Sequence, residues 1–292
     1  MKLPLSRAHL AIPVAFLLFL GCLLPLILLL VFSVFTVDMD AFVMVPAFSP
    51  QAWAQMLTKP VFAFLIGKAV MFGLGTAVLA AFAGYPVALA IASLAPAWKG
   101  IASVILLTPL YTGEIVRIYA WRIVLGSEGL VNTLLMWLGV IHAPLKFLLF
   151  TPFTTHLVLL YNTLPFMVLP IWLSIELVDR RLIEAARDLG ARPLHAFLRV
   201  TLPLTTPGLS VGLFAVFALA AGDMLTPSLL GGPSGVTPMS MIDNLFGTAF
   251  DWPLASALSL SLLLVLLACA TVMSWLVLRL KGARAVFRGG MR

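Results

Sequence analysis

The chain has 292 residues, 62% of them hydrophobic and 10% charged, with a mean hydropathy of +1.12. Soluble domains carry roughly a quarter charged residues, so the composition argues against any water-soluble module. The net charge of +7 is the excess expected of a membrane protein whose Lys and Arg collect in loops on one side, which argues against a nucleic-acid partner.

A helix crossing about 30 Å of hydrocarbon needs roughly 20 residues, and six segments meet that requirement: 10–36, 61–94, 101–125, 147–177, 207–230 and 254–280. The first follows Lys2 and Arg7. It is longer than a secretory signal core and lacks a small-residue cleavage box, so it reads as an uncleaved span. The second and fourth are long enough to tilt, to extend beyond the bilayer, or to kink at Pro86 or Pro165. Open strands would leave unpaired backbone in lipid, and the runs are too long and uniform for a barrel. The expected fold class is therefore all-α integral membrane, with about six transmembrane helices. It divides into an N-terminal tail, first helix and loop at 1–60, a core at 61–280 and a basic tail at 281–292.

Cys22 and Cys269 lie in apolar runs, where each behaves as a small hydrophobe. His9, His142, His156 and His195 are scattered without ligand spacing, so no metal site is expected. One threading collects most of the basic residues on one side: Lys2, Arg7, Lys99, the arginines of 180–199, Arg279 and the tail. That side reads as cytoplasmic and holds both termini. Asp38, Asp40, Glu128, Asp243 and Asp251 fall on the other, with Trp53, Trp121 and Trp252 as an interfacial belt.

The one long cytoplasmic connection contains EAARDLGARPLHAFLRVTLP, residues 184–203. Leu182, Ala185, Ala186 and Leu189 recur at spacings of three and four, forming one face of a short helix, with Glu184, Arg187 and Asp188 toward the other. Gly190 can end that helix in the left-handed conformation, and Pro193 can open the next. Leu194, Phe197 and Leu198 then share a face, His195 and Arg199 take another, and Pro203 and Pro207 prevent a smooth run into the next span. From composition alone, this could equally be a basic amphipathic loop lying on anionic lipid.

The stretch reads E-A-A, three residues, G, nine residues, V-x-L-P, and so resembles the cytoplasmic signature loop of permease subunits in bacterial ABC importers. Glu184, Ala185, Ala186, Gly190, Val200, Leu202 and Pro203 match position by position, with Val where Ile is usual. The resemblance implies the transmembrane fold of a type I ABC importer. Its coupling-helix hairpin, including Arg187 and Asp188, would sit in a cleft of a separate ATPase subunit. No GxxxxGK[ST] loop is present, so ATP is expected to be used by partner subunits and no cofactor is expected on this chain. Other implied partners are a second permease subunit, a paralogue by this likeness, a periplasmic substrate-binding protein and the bilayer.

GDMLTPSLLGG at 222–232, DWPLASAL at 251–258, RIYAW at 117–121 and LPFMVLPIWLSIE at 164–176 narrow the resemblance to spermidine/putrescine-type permeases. It covers about residues 60–280 and implies a polyamine or a related amino compound as cargo. An amino-acid derivative, an opine or a phosphonate are the alternatives. Glu114 and Asp223 are acids within apolar spans and so candidates for the translocation pathway, together with Tyr111 and Arg117. The competing expectation is that Glu114 and Arg117, three apart on one helix, neutralise each other; Lys68 adds a second intramembrane base. Glu114 also departs from the small or hydroxyl residue usual in these permeases, which implies a different substrate or internal pairing. A secondary transporter would be expected to show inverted repeats or broken helices at midplane charges, neither evident in the sequence. A membrane enzyme would need a clustered catalytic constellation, and no catalytic residue is assigned.

Overall fold

The computed structural model describes residues 16–17, 19–38 and 43–278. The N-terminal tail with Lys2, Arg7 and His9, the start of the first span, Asp40, Arg279 and the basic tail at 281–292 lie outside the described residues.

In chain order, a π-turn Phe19–Leu23 leads into α1 (Leu24–Phe32), then a short antiparallel pair β1 (Thr36–Asp38) and β2 (Val43–Val45). There follow α2 (Gln51–Thr58), α3 (Pro60–Ser93), α4 (Pro96–Leu107), α5 (Glu114–Leu125), α6 (Leu130–Trp137) and α7 (Pro152–Glu176). Next come α8 (Arg180–Asp188), α9 (Pro193–Leu204, including a π-turn Phe197–Thr201), α10 (Thr206–Ala221) and α11 (Leu225–Leu230). The chain closes with α12 (Pro238–Phe246) and α13 (Trp252–Leu278). The β1–β2 ladder pairs Thr36 with Val45 and Asp38 with Val43, a small exception to the all-helical expectation.

Among the described residues three helices, α3, α7 and α13, are long and apolar enough to cross a membrane, and two bent pairs raise the number to five if each is one span. Both α3 and α7 continue through their internal prolines, Pro86 in the first and Pro165 and Pro170 in the second. Two of the expected spans are not single rods. The 101–125 segment breaks at Thr112 and Gly113, where Pro96–Tyr111 and Glu114–Trp137 meet at 96°. Pro109 and Gly113 bracket the break, one lacking a backbone donor and the other free of a side chain. The 207–230 segment breaks after Ala221, where Gly222, Asp223 and Met224 separate α10 from α11. The expectation of no broken helices at intramembrane charges is thus corrected: Glu114 and Asp223 each stand at a break.

The described residues fall into two compact units, one drawn from 1–66 and 238–265 and the other from 67–237 and 266–292. In the first, Trp53 donates its indole N–H to Ser33 at 3.2 Å, and Phe32 and Phe246 meet the Trp252 ring edge-on. Asp251 accepts from the Leu254 amide at 3.1 Å and so caps α13.

In the second unit the core forms where α3, α7 and α10 meet, around the fully buried Met167. A Cβ on Gly84 would lie 2.9 Å from the Met167 side chain, and one on Gly212 would lie 2.8 Å from its sulfur. Gly208 and Gly212, four apart on one face of α10, let its backbone run directly against Pro170 and Met167 of α7. Lipid gives helices little hydrophobic reason to associate, so small residues at four-residue spacing are what permits such close packing. Fully buried Ala77, Ala80 and Ala88 do the same for α3.

Candidate functional site

Two sets of residues in the second unit carry functional chemistry. The first is the hairpin of α8 and α9. Asp179 starts α8 by accepting the Arg181 amide at 2.9 Å. Gly190 ends it with φ +83°. The Gly190 amide donates to the Arg187 carbonyl at 2.8 Å, and the Ala191 amide donates to the Ala186 carbonyl at 3.0 Å. These are the two bonds of a Schellman turn, which is why glycine suits this position. Pro193 opens α9, as its spacing from Gly190 predicts.

The two arms are held differently. Ala196 is buried in α9, and Phe197 meets the Tyr85 ring edge-on at 5.1 Å. The Tyr85 and Thr205 hydroxyls hydrogen-bond in the buried interior, and Thr205 also donates to the Thr201 carbonyl at 2.9 Å. Leu202 is half-buried against the same core. Pro203 and Pro207 flank Thr205, where α9 and α10 meet at 70°. By contrast the α8 arm stands free: Glu184, Ala185, Arg187 and Asp188 are exposed, and Leu189 is 90% exposed at the tip. Between the arms lies a cavity of about 520 Å³ lined by Ala186, Gly190, His195, Arg199 and Val200 among others. Beside the hairpin, Lys99 at the start of α4 pairs with Glu176 at the end of α7 at 2.5 Å, and Trp172 donates to the same carboxylate at 2.9 Å.

The second set lines a cavity of about 370 Å³ where the two helix breaks meet the middle of α7. Glu114 and Arg117 come from the first turn of α5, Asp223 from the α10–α11 break, and Asn162 and Thr163 from α7. Asp223 accepts from both the Thr226 amide, at 3.0 Å, and the Thr226 hydroxyl, at 2.7 Å, so it also fixes the start of α11. The Glu114 side chain lies within interaction range of Asp223 and Arg117. Among the described residues Arg117 is not in ion-pair contact with either acid, and its charge acts on Glu114 at longer range. Its Nε and Nη1 are buried without a hydrogen-bond partner, as are both amide atoms of Asn162.

Three of the four pathway candidates, Glu114, Arg117 and Asp223, therefore share one cavity. Tyr111 does not line it and is 88% exposed. Lys68 is spent elsewhere, donating to the Val236 carbonyl at 2.6 Å. Asn162 and Thr163 went unassigned in the sequence, although two adjacent polar residues inside an apolar run before Pro165 are the signal that could have found them. Asp179, Tyr85 and Thr205 were likewise unassigned.

No family model matches the chain. It is 39% identical over 183 residues to the spermidine/putrescine transport system permease protein PotB of Escherichia coli, covering 63% of this chain and 66% of that protein. The chain thus spans just under two thirds of that relative's length. To PotB of Haemophilus influenzae it is 35% identical over 207 residues, covering 70% of this chain and 72% of the relative. The Escherichia coli inner membrane ABC transporter permease YdcU is 33% identical over 172 residues, covering 56% of this chain and 55% of that one. Among solved structures, a bacterial ABC transporter for import of the acidic polysaccharide alginate superposes with a TM-score of 0.68, covering 94% of this chain and 95% of that one. At 18% sequence identity, that likeness establishes the shared fold.

Proposed function

The chain belongs to the family of ABC transporter permease subunits that contains the spermidine/putrescine permeases, and from that premise we propose that it forms half of the translocation pathway of an ATP-driven importer for an amino compound. It is a multi-pass inner-membrane protein and a transport component. A second permease subunit, a paralogue, supplies the other half of the pathway. Two ATPase subunits hydrolyse ATP, and a periplasmic protein delivers the cargo; one structural relative was solved with a substrate-loaded periplasmic protein. The hairpin faces the cytoplasm, as do both termini, because that threading gathers the basic residues on the positive side.

The observation that carries this reading is the free-standing α8 arm. Its Ala185, Leu189 and Gly190 lie open to a partner, while α9 is anchored through Ala196, Phe197 and Tyr85 to the helices of the pathway. A push on α8 by a closing ATPase dimer would therefore be delivered through α9 to α3 and α10. Glu184, Ala185, Ala186, Arg187, Asp188 and Gly190 make the docking face, and Leu202 and Pro203 lead the motion into the 70° corner. The spermidine/putrescine relatives support an amine as the cargo. Glu114 and Asp223 are acids suited to meet it in the membrane.

The test is Glu184→Lys in the reconstituted transporter, measured as ATPase-subunit association and ATP-driven uptake. Both should collapse together. Uptake and association equal to wild type would remove the hairpin from the coupling role.

A further inference from the structure

The 370 Å³ cavity contains more chemistry than a carboxylate-free polyamine could use. Its ionisable groups are Glu114, Asp223 and Arg117, and the two carboxyl groups lie within hydrogen-bond reach of each other. Putrescine, a dication, would answer the two acids, but it would bring further positive charge to Arg117. A guanidinium stays charged under all ordinary conditions, so this one cannot escape by losing its proton. Two of its nitrogens already lack any acceptor in the chain. Asn162, with only 9% of its surface exposed, has both its amide donor and its amide acceptor unsatisfied in the same cavity. Buried polar groups are nearly always paired, and each left without a partner carries a desolvation cost. The cavity therefore lacks one anionic acceptor near Arg117 and Asn162, and one cationic donor near Glu114, Asp223 and the Asn162 carbonyl.

We propose that this cavity receives an amino compound that also bears a carboxylate, a zwitterion of the diamino-acid type. The inference rests on the reading of this chain as a permease for an amino compound, and it narrows the cargo of that same site. The carboxylate takes Arg117 Nε and Nη1 and the Asn162 amide N–H as donors. One ammonium meets the adjoining Glu114 and Asp223 carboxyl groups, and the second lies toward the open side of the cavity. Each Asp223 oxygen already accepts one bond from Thr226 and has a lone pair left for the ammonium. Specificity of this kind is strong because an analogue without the carboxylate leaves buried donors unmatched.

Ornithine and putrescine are the matched probes, since they differ only by that carboxylate. The complete transporter, with its second permease and ATPase subunits, is placed in lipid nanodiscs without the periplasmic protein, and binding of each radiolabelled probe is measured. Ornithine should bind about tenfold or more tightly than putrescine. Arg117→Gln should remove that difference by weakening ornithine about tenfold without weakening putrescine, and Arg117→Lys should restore part of it. The wild-type comparison stands even if a variant assembles poorly. Putrescine binding as tightly as ornithine, ornithine binding untouched by Arg117→Gln, or no binding of either probe up to about 10 mM would each overturn the inference. ATP-driven uptake, measured on the same complete transporter reconstituted in proteoliposomes with its periplasmic protein, separates the two failures. If coupled uptake of putrescine persists without ornithine selectivity, only the cargo assignment falls; if no solute is taken up in an ATP-dependent way, the permease reading falls.

Discussion

Substitution of Gly190 offers a perturbation whose magnitude follows from geometry. The residue has φ +83°, and a Cβ built there would meet nothing within 4 Å. Gly190→Ala therefore adds no clash and costs only the left-handed conformation of an L-residue, about 1–2 kcal/mol. The Schellman bonds from Gly190 to Arg187 and from Ala191 to Ala186 require that conformation. Loss of the turn frays the end of α8 and lets Leu189 swing away from its presenting position. If the docked state needs the turn intact, the same 1–2 kcal/mol appears in the ATPase affinity as a factor of about 5–30. Gly190→Asn should lose much less, because Asn enters the left-handed region more readily than Ala. The assay is the dissociation constant between the permease pair in nanodiscs and its ATPase subunit, for wild type, Ala and Asn. An Ala variant within about twofold of wild type, or an Asn variant weaker than Ala, would refute the argument.

Further predictions concern the anchors around the hairpin and the core. Asp179→Ala removes the cap of α8, worth about 0.5–2 kcal/mol, and should speed amide hydrogen exchange across 180–188; unchanged exchange there would count against the cap. Gly212→Val drives a side chain into Met167 and should lower the thermal unfolding midpoint, by about 1–3 kcal/mol of stability, whereas Gly67→Ala, with open space around it, should not; equal effects would contradict the close-packing account. Tyr85→Phe and Thr205→Val should show a coupling of about 0.5–1.5 kcal/mol in a double-mutant cycle of thermal stability. Strict additivity would mean that their hydroxyl contact does not hold α9 to α3.

The hairpin was legible in the sequence because its structure is governed by local rules. A glycine that must turn left-handed, a proline that opens a helix and a charged face opposite small residues keep their meaning whatever surrounds them. The long spans were legible for the same kind of reason, since lipid demands sustained apolar helices. The breaks were not, because the polar residues at 108–114 and 222–224 lower hydropathy whether or not the helix bends there, and hydropathy does not register backbone direction. The cavity was only partly visible. Glu114, Arg117 and Asp223 stand out as charges in apolar runs, but their meeting depends on two helix breaks and on Asn162, 45 residues from Arg117 in the chain. Contact between Glu114 and Arg117 depends on side-chain rotamers, which spacing along one helix does not fix. The face of α10 was open to reading, since Gly208 and Gly212 keep the four-residue spacing of close helix contacts.

The central claim is that this permease is powered through its hairpin by a separate ATPase. The most direct measurement is solute uptake into proteoliposomes that contain the complete transporter and the periplasmic protein, with internal ATP and an imposed proton gradient varied independently. Uptake should follow ATP, should be indifferent to collapse of the gradient, and should vanish when the ATPase subunit is omitted. Uptake that persists without ATP and follows the proton gradient would contradict the account.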